Sequence, residues 1–149
     1  MTKPHIKFKI VTPERIVFED TVDAVVVPTV DGEITILPHH IPLVTLLKAG
    51  VLQIKKGDEM TPLAVSNGVM EVDGRHVVIL ADTAERADEL EEEKIQHAKE
   101  EAEKLMNARR GDEVGFADAA AGLEREIVRL KVAQKYRHKS RGPTPRNEE

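Results

Sequence analysis

The spacing of the apolar residues changes once, near residue 84, and no other feature constrains the fold as tightly. Upstream the period is two. Ile6, Phe8 and Ile10 alternate with Lys7 and Lys9, as in a strand with one buried and one wet face. Further short strands are predicted at 16–19, 24–27, 33–37, 51–55, 63–66, 69–72 and 76–80. Lys56-Gly57-Asp58-Glu59 and Asp73-Gly74 separate them as turns, the second being a favoured hairpin dipeptide. Every proline except Pro143 and Pro145 falls within residues 1–83. Short strands with turn signals about every ten residues predict an antiparallel sandwich or flattened barrel. No helical pattern interrupts them to support a doubly wound α/β sheet.

Downstream the period becomes about 3.6. Ala87, Leu90, Ile95, Ala98, Ala102 and Leu105 form one stripe, with Asp82 as the expected cap and Glu85 closing a capping box. Gly111 supplies the stop. A second stripe follows at Phe116, Ala120, Leu123, Ile127 and Leu130, close enough in sequence to fold back as an antiparallel hairpin. The predicted organisation is an N-terminal all-β antiparallel sandwich over 1–83, a C-terminal two-helix hairpin over 84–137, and a disordered tail over 138–149. Alanine holds half of the first stripe and buries little area, so the hairpin is expected to lean on the β domain or on a partner.

Composition removes several function classes. The chain has no Cys, which excludes disulfide scaffolds, thiolate metal sites and Cys nucleophiles. No apolar run approaches the ~18 residues of a membrane span, and Met1-Thr2-Lys3-Pro4 leads into no signal-peptide core. With a net charge of -5 and no Trp, a nucleic-acid partner is not expected. No metal is expected either: His39 and His40 are adjacent, and neighbouring residues rarely converge on one ion. Asp82, Glu85 and the Glu91-Glu92-Glu93 run read as a helix cap and a solvated face rather than as an acid/base pair. Ser66 lies in a turn, and the glycines are too dispersed to cradle a phosphate. No cofactor or self-contained catalytic site is predicted; the chain reads as a binding or mechanical component.

Charge is distributed unevenly. Residues 1–87 carry 9 basic and 12 acidic side chains, residues 88–113 carry 5 and 10, and residues 114–149 carry 8 and 5. An acidic first helix therefore faces a basic second one. Two readings follow: the helices pair with each other, or the basic helix reaches an acidic partner.

The ordered motifs Ile10-Val11-Thr12-Pro13-Glu14, Val27-Pro28-Thr29, Asp31-Gly32-Glu33, Leu37-Pro38-His39-His40-Ile41-Pro42-Leu43, Leu47-Lys48-Ala49-Gly50, Ser66-Asn67-Gly68-Val69-Met70-Glu71-Val72 and Leu80-Ala81-Asp82-Thr83-Ala84-Glu85-Arg86-Ala87 resemble the epsilon subunit of the F-type, proton-translocating ATP synthase. The resemblance covers roughly residues 5–137. It implies a non-catalytic rotor subunit whose β-sandwich holds the gamma subunit and rests on the ring of c subunits, coupling proton passage to ATP synthesis elsewhere. It also implies a peripheral position on the cytoplasmic side of a bacterial cell membrane, or alternatively on a thylakoid membrane. On this resemblance Glu33, Ile36, Leu37, Pro38, His39, His40 and Pro42 are candidate contacts to the c ring or gamma.

In bacterial members of the family the hairpin can extend into the catalytic head and block ATP hydrolysis, meeting an acidic segment of beta, beside alpha. Arg125, Arg129, Lys131 and Lys135 fit that arm by charge and position. A family member with a permanently folded, non-inhibitory hairpin is the alternative, and an unrelated protein-binding adaptor a more distant one. Some relatives bind ATP on the folded hairpin through Ile or Leu, Asp, two variable residues, Arg, Ala. Here the stretch is Leu90-Glu91-Glu92-Glu93-Lys94-Ile95, and only the leucine is retained. Glu91 sets its carboxylate one methylene further out, and Lys94 lacks the guanidinium fork suited to phosphate. ATP binding is expected to be weak or absent.

Overall fold

The computed structural model describes residues 3–140. Its strands are β1 (Ile6–Val11), β2 (Ile16–Val22), β3 (Ala24–Thr29), β4 (Gly32–Ile36), β5 (Leu43–Leu47), β6 (Gly50–Lys56), β7 (Glu59–Val65), β8 (Gly68–Val72), β9 (His76–Ala81) and β10 (Ala84–Arg86). A 3-10 turn at Ala87–Glu89 leads to α1 (Glu92–Ala108) and α2 (Glu113–Ser140). The strands run in the order β10-β7-β6-β3-β5-β8-β9-β1-β2, with β4 attached to β3. β3 and β5 meet at a single pair, Thr29 with Leu47, and the sheet bends there into two layers. Between the layers lies a core that includes Phe8, Ile10, Val25, Ile36, Leu52, Ile54, Leu63, Met70 and Ile79.

All eight predicted strands are present and β5 and β10 are additional. One pairing departs from the antiparallel expectation: β1 runs parallel to β9. A long connection separates these two strands, so no tight hairpin dictates their direction. β10 occupies the place where the first helix was expected to begin. Ala84-Glu85-Arg86 has good helix propensity, but pairing with β7 satisfies its backbone and overrides that preference. The expected cap at Asp82 and Glu85 is therefore corrected. The capping contact lies further on, where Arg86 N–H donates to Glu89 Oε2 at 3.0 Å, and α1 starts at Glu92.

Ser66 fastens this corner. Its Oγ accepts from Thr83 N–H and from Thr83 Oγ1, each at 2.8 Å, while its own N–H donates to Thr83 O at 3.0 Å. At Gly68 any β-carbon would sit 2.2 Å from Leu80 O, so β8 and β9 approach only because a glycine stands there.

In the hairpin, Gly111 takes φ +101° in the turn, as expected of a helix stop. α2 continues past residue 137 to Ser140, further than expected; the rest of the expected tail, residues 141–149, lies outside the described residues. Its burial is also displaced from the expected stripe. Ala119, Glu126, Val128, Val132 and Ala133 are buried, whereas Ala120, Leu123, Ile127 and Leu130 are half-buried and Phe116 is exposed. The cause is that α2 packs against two elements at once, α1 and the β6–β7 layer. Val128 and Val132 meet Ala64 and Ala87 in a second apolar cluster flanked by Ala49, Val51 and Leu90.

Candidate functional site

Three surfaces carry the candidate residues: a loop, a bare sheet face and the seam under the hairpin. The loop joins β4 to β5. His39 N–H donates to Gly74 O at 2.9 Å and His40 N–H to Leu37 O at 3.2 Å, so both ends of the bend are fixed. His39 holds φ +65°, a left-handed backbone that is uncommon for a non-glycine residue. His40 Nδ1 lies 2.7 Å from Ile41 O. The bend thrusts Leu37 and Ile41 into solvent, Ile41 with 74% exposure. Glu33, His39 and Pro42 are also exposed, and Pro38 and His40 are half-buried. Ile36 is different. It is fully buried in the core, so its assignment to a partner contact is corrected: as the last residue of β4 it points inward under the pleat.

The bare face lies on the layer β5-β8-β9-β1-β2. Leu46 pairs with Val69, Val69 with Leu80, Leu80 with Val11, and Val11 with Ile16. These outward positions form an apolar ladder across five strands. Leu46, Val69, Leu80 and Ile16 are exposed and Val11 half-exposed, with Val44 (70% exposed) and Val30 beside Leu46. Scattered apolar side chains are normal on a surface; a contiguous row is not. The sequence reading missed this face. Its signal was there in Val77-Val78-Ile79-Leu80, a run apolar at every position, which marks a strand covered on both faces rather than one.

The opposite layer covers its own outer face. Val51 pairs with Ala64 and Ala64 with Glu85, a short row across β6, β7 and β10. Val128 and Val132 pack at its apolar end. At the other end Arg129 Nε donates to Glu85 Oε2 at 2.7 Å, and Arg129 Nη1 to Glu126 Oε2 at 2.8 Å. Burial works against the Arg129 charge, but the two carboxylates, Glu85 ahead of Glu126, more than offset it and raise its pKa. Beside this seam Arg15 Nη2 pairs with Glu89 at 2.8 Å, and Arg137 joins α2 to Glu92 on α1 at 3.0 Å.

The remaining arm candidates are placed differently. Arg125 lies 3.8 Å from Glu126. Lys131 and Lys135 line a cleft of about 600 Å³ with Lys48, Gln53 and Glu33, between α2 and the sandwich. Of the nucleotide stretch, Leu90 packs against the seam cluster, while Lys94 Nζ donates to Glu91 at 2.9 Å. Glu91 and Lys94 thus satisfy each other on the surface. Among the described residues no three His, Asp or Glu side chains are grouped to hold a metal, and no helix is long and apolar enough to cross a membrane.

The sequence family decides what such a two-layer sandwich with a docked hairpin is. Residues 5–87 match the model of the ATP synthase delta/epsilon chain β-sandwich domain. The ATP synthase epsilon chain of Chloroflexus aggregans is 50% identical over 136 residues, covering 91% of this chain and 97% of that protein. The chain belongs to the ATP synthase epsilon-chain family. Its similarity to the epsilon chain of Desulforamulus reducens, 45% over 128 residues, likewise spans 86% of this chain and 96% of that protein, helices included. Among solved structures, a chain of the Euglena gracilis mitochondrial ATP synthase superposes with a TM-score of 0.76 at 24% identity, covering 89% of this chain and 82% of that one, which shows the same fold. Epsilon chains are non-catalytic, in keeping with surfaces built here from apolar ladders and ion pairs.

Proposed function

We infer that this chain is the central-stalk rotor subunit of an F-type ATP synthase, turning with the c ring and transmitting proton-driven rotation without bond chemistry of its own. The observation that carries the reading is the asymmetry of the sandwich. Both layers have an apolar outer face, yet the hairpin covers one and the ladder from Ile16 to Leu46 is bare. A bare face of that extent is an interface, and the gamma subunit is its natural occupant in this family. The braced loop, with Leu37, His39 and Ile41 outward, is the corresponding foot toward the c ring. The subunit is then peripheral, on the side of the membrane that carries the catalytic head, which in a bacterium is the cytoplasmic side.

The hairpin supplies a second role. The apolar part of its seam with the sandwich is small, Val128 and Val132 against Ala64 and Ala87 with Ala49, Val51 and Leu90 at the edge, where a fully buried valine stabilises by roughly 1.5–3 kcal/mol. A partner can compete with an interface of that size. Extended along gamma, α2 would present Arg125, Arg129, Lys131 and Lys135 to an acidic segment of beta and restrain ATP hydrolysis.

Two experiments separate these statements. With Leu80→Glu and Val69→Glu together, the chain is expected to fold as before but no longer to co-purify with gamma; undiminished co-purification overturns the ladder assignment. Deleting residues 114–149 is expected to raise ATP hydrolysis by the reconstituted complex, and unchanged hydrolysis removes the inhibitory role.

A further inference from the structure

Arg129 makes two charged contacts of different kinds. Glu126 sits one turn away on the same helix, so that pair travels with α2 wherever it goes. Glu85 sits on β10, paired with Ala64 in the sheet, so that pair survives only while α2 lies on the sandwich. Both Arg129 and Glu85 are about three-quarters shielded from solvent, at 27% and 29% exposure, and an ion pair so shielded is screened less than one on the open surface. The pair stands next to Val128 and Val132 at the end of the apolar row, where it adds direction to a contact that is otherwise small and non-directional.

We propose that Glu85 and Arg129 form the latch of the docked hairpin, and that Glu85 and the acidic partner surface are alternative ligands of one guanidinium. This rests on the reading that the hairpin can leave the sandwich, and it adds how that departure is controlled. Release exchanges one carboxylate for another around Arg129 while Glu126 stays in place. The charge is never stripped of partners, which keeps the barrier low compared with exposing a bare shielded cation. Docking and partner contact become mutually exclusive uses of the same side chain. The latch is also built from the chain alone: with Glu91 and Lys94 satisfied by each other, no bound nucleotide is needed to close it.

The test uses the full chain, which has no cysteine of its own. Ala64 lies buried beneath α2, so the labelling rate of Ala64→Cys by a thiol reagent reports how often the hairpin lifts. Adding Glu85→Gln is expected to speed labelling about tenfold or more, as for loss of a hydrogen bond to a charged group. Arg129→Gln should do the same, and the two together no more than either alone, because they remove one interaction. Lys56→Gln, which breaks the 2.6 Å pair with Asp20 elsewhere on the sandwich, should leave labelling as it was. If Glu85→Gln and Arg129→Gln label at the parent rate, the latch is wrong. In the assembled complex Glu85→Gln should deepen inhibition of ATP hydrolysis. Faster labelling with unaltered hydrolysis keeps the latch and discards the inhibitory role; unaltered labelling discards the latch whatever hydrolysis does.

Discussion

Arg129 on α2 reaches across to Glu85 on β10 at 2.7 Å, and this contact joins the helical and β parts at the spot where period two gives way to period 3.6 in the sequence. Glu85 faces α2 only because residues 84–86 form a strand rather than a helical turn. The same three residues thus complete the sandwich edge and fix the position from which the hairpin is held.

Ile36 and Leu37 are neighbours with opposite fates, one fully buried and the other 56% exposed. Ile36→Ala should cost about 2–5 kcal/mol of unfolding free energy through the cavity it leaves, and Leu37→Ala less than about 0.5 kcal/mol. Urea unfolding of the isolated chain distinguishes them. In the assembled complex the order should reverse: on the proposed role of this loop as the foot on the c ring, Leu37→Ala weakens coupling more than Ile36→Ala.

Gly68→Ala should destabilise the chain by about 1–3 kcal/mol, because its new methyl meets backbone rather than a movable side chain. The nearest atoms are Leu80 O at 2.2 Å and Ala81 Cα at 2.8 Å. A lowered thermal midpoint with unchanged strand content is the expected signature. A midpoint equal to that of the parent would mean that β8 and β9 can separate without cost.

Stability should fall on the acid side partly through Asp23. Gly57 N–H donates to its carboxylate at 2.7 Å and holds its pKa below the ordinary 3.8, with Lys3 and His5 assisting. A depressed carboxylate pKa contributes stability that is complete above the unfolded value and is lost as pH falls through the folded one. Asp23→Asn should therefore flatten the stability profile below about pH 4 and lower the plateau above it. Denaturant midpoints measured across that range decide the matter.

ATP should bind the isolated chain weakly or not at all, since Glu91 and Lys94 pair with each other and Arg129 is occupied by Glu85 and Glu126. Calorimetry is the direct check. A dissociation constant on the order of 1 μM, or ~8 kcal/mol, would contradict this arrangement.

Local pattern was enough to reveal a sandwich followed by a hairpin, because alternation and 3.6-residue spacing are properties of short stretches. It also marked the turns at Gly57, Gly74 and Gly111, each with positive φ. The resemblance of ordered motifs carried the family. What local pattern could not carry was any choice between two acceptable local states or any relation between distant segments.

Ala84-Glu85-Arg86 suits a helix by itself and becomes a strand because β7 offers its backbone a partner. Ile36 falls in a predicted strand, but which side of the pleat it takes is settled only by the pairing of β4 with β3. The ladder from Ile16 to Leu46 has no existence along the chain: its members come from five strands and meet only through register. The arm residues were visible by charge, yet which of them is already engaged depends on how α2 divides its surface between α1 and the sandwich. The kinds of element and their order follow from the chain alone, since those rest on neighbours a few residues apart. Tertiary structure alone decided which faces stay bare and which charges meet, since those depend on side chains brought together from distant parts of the chain.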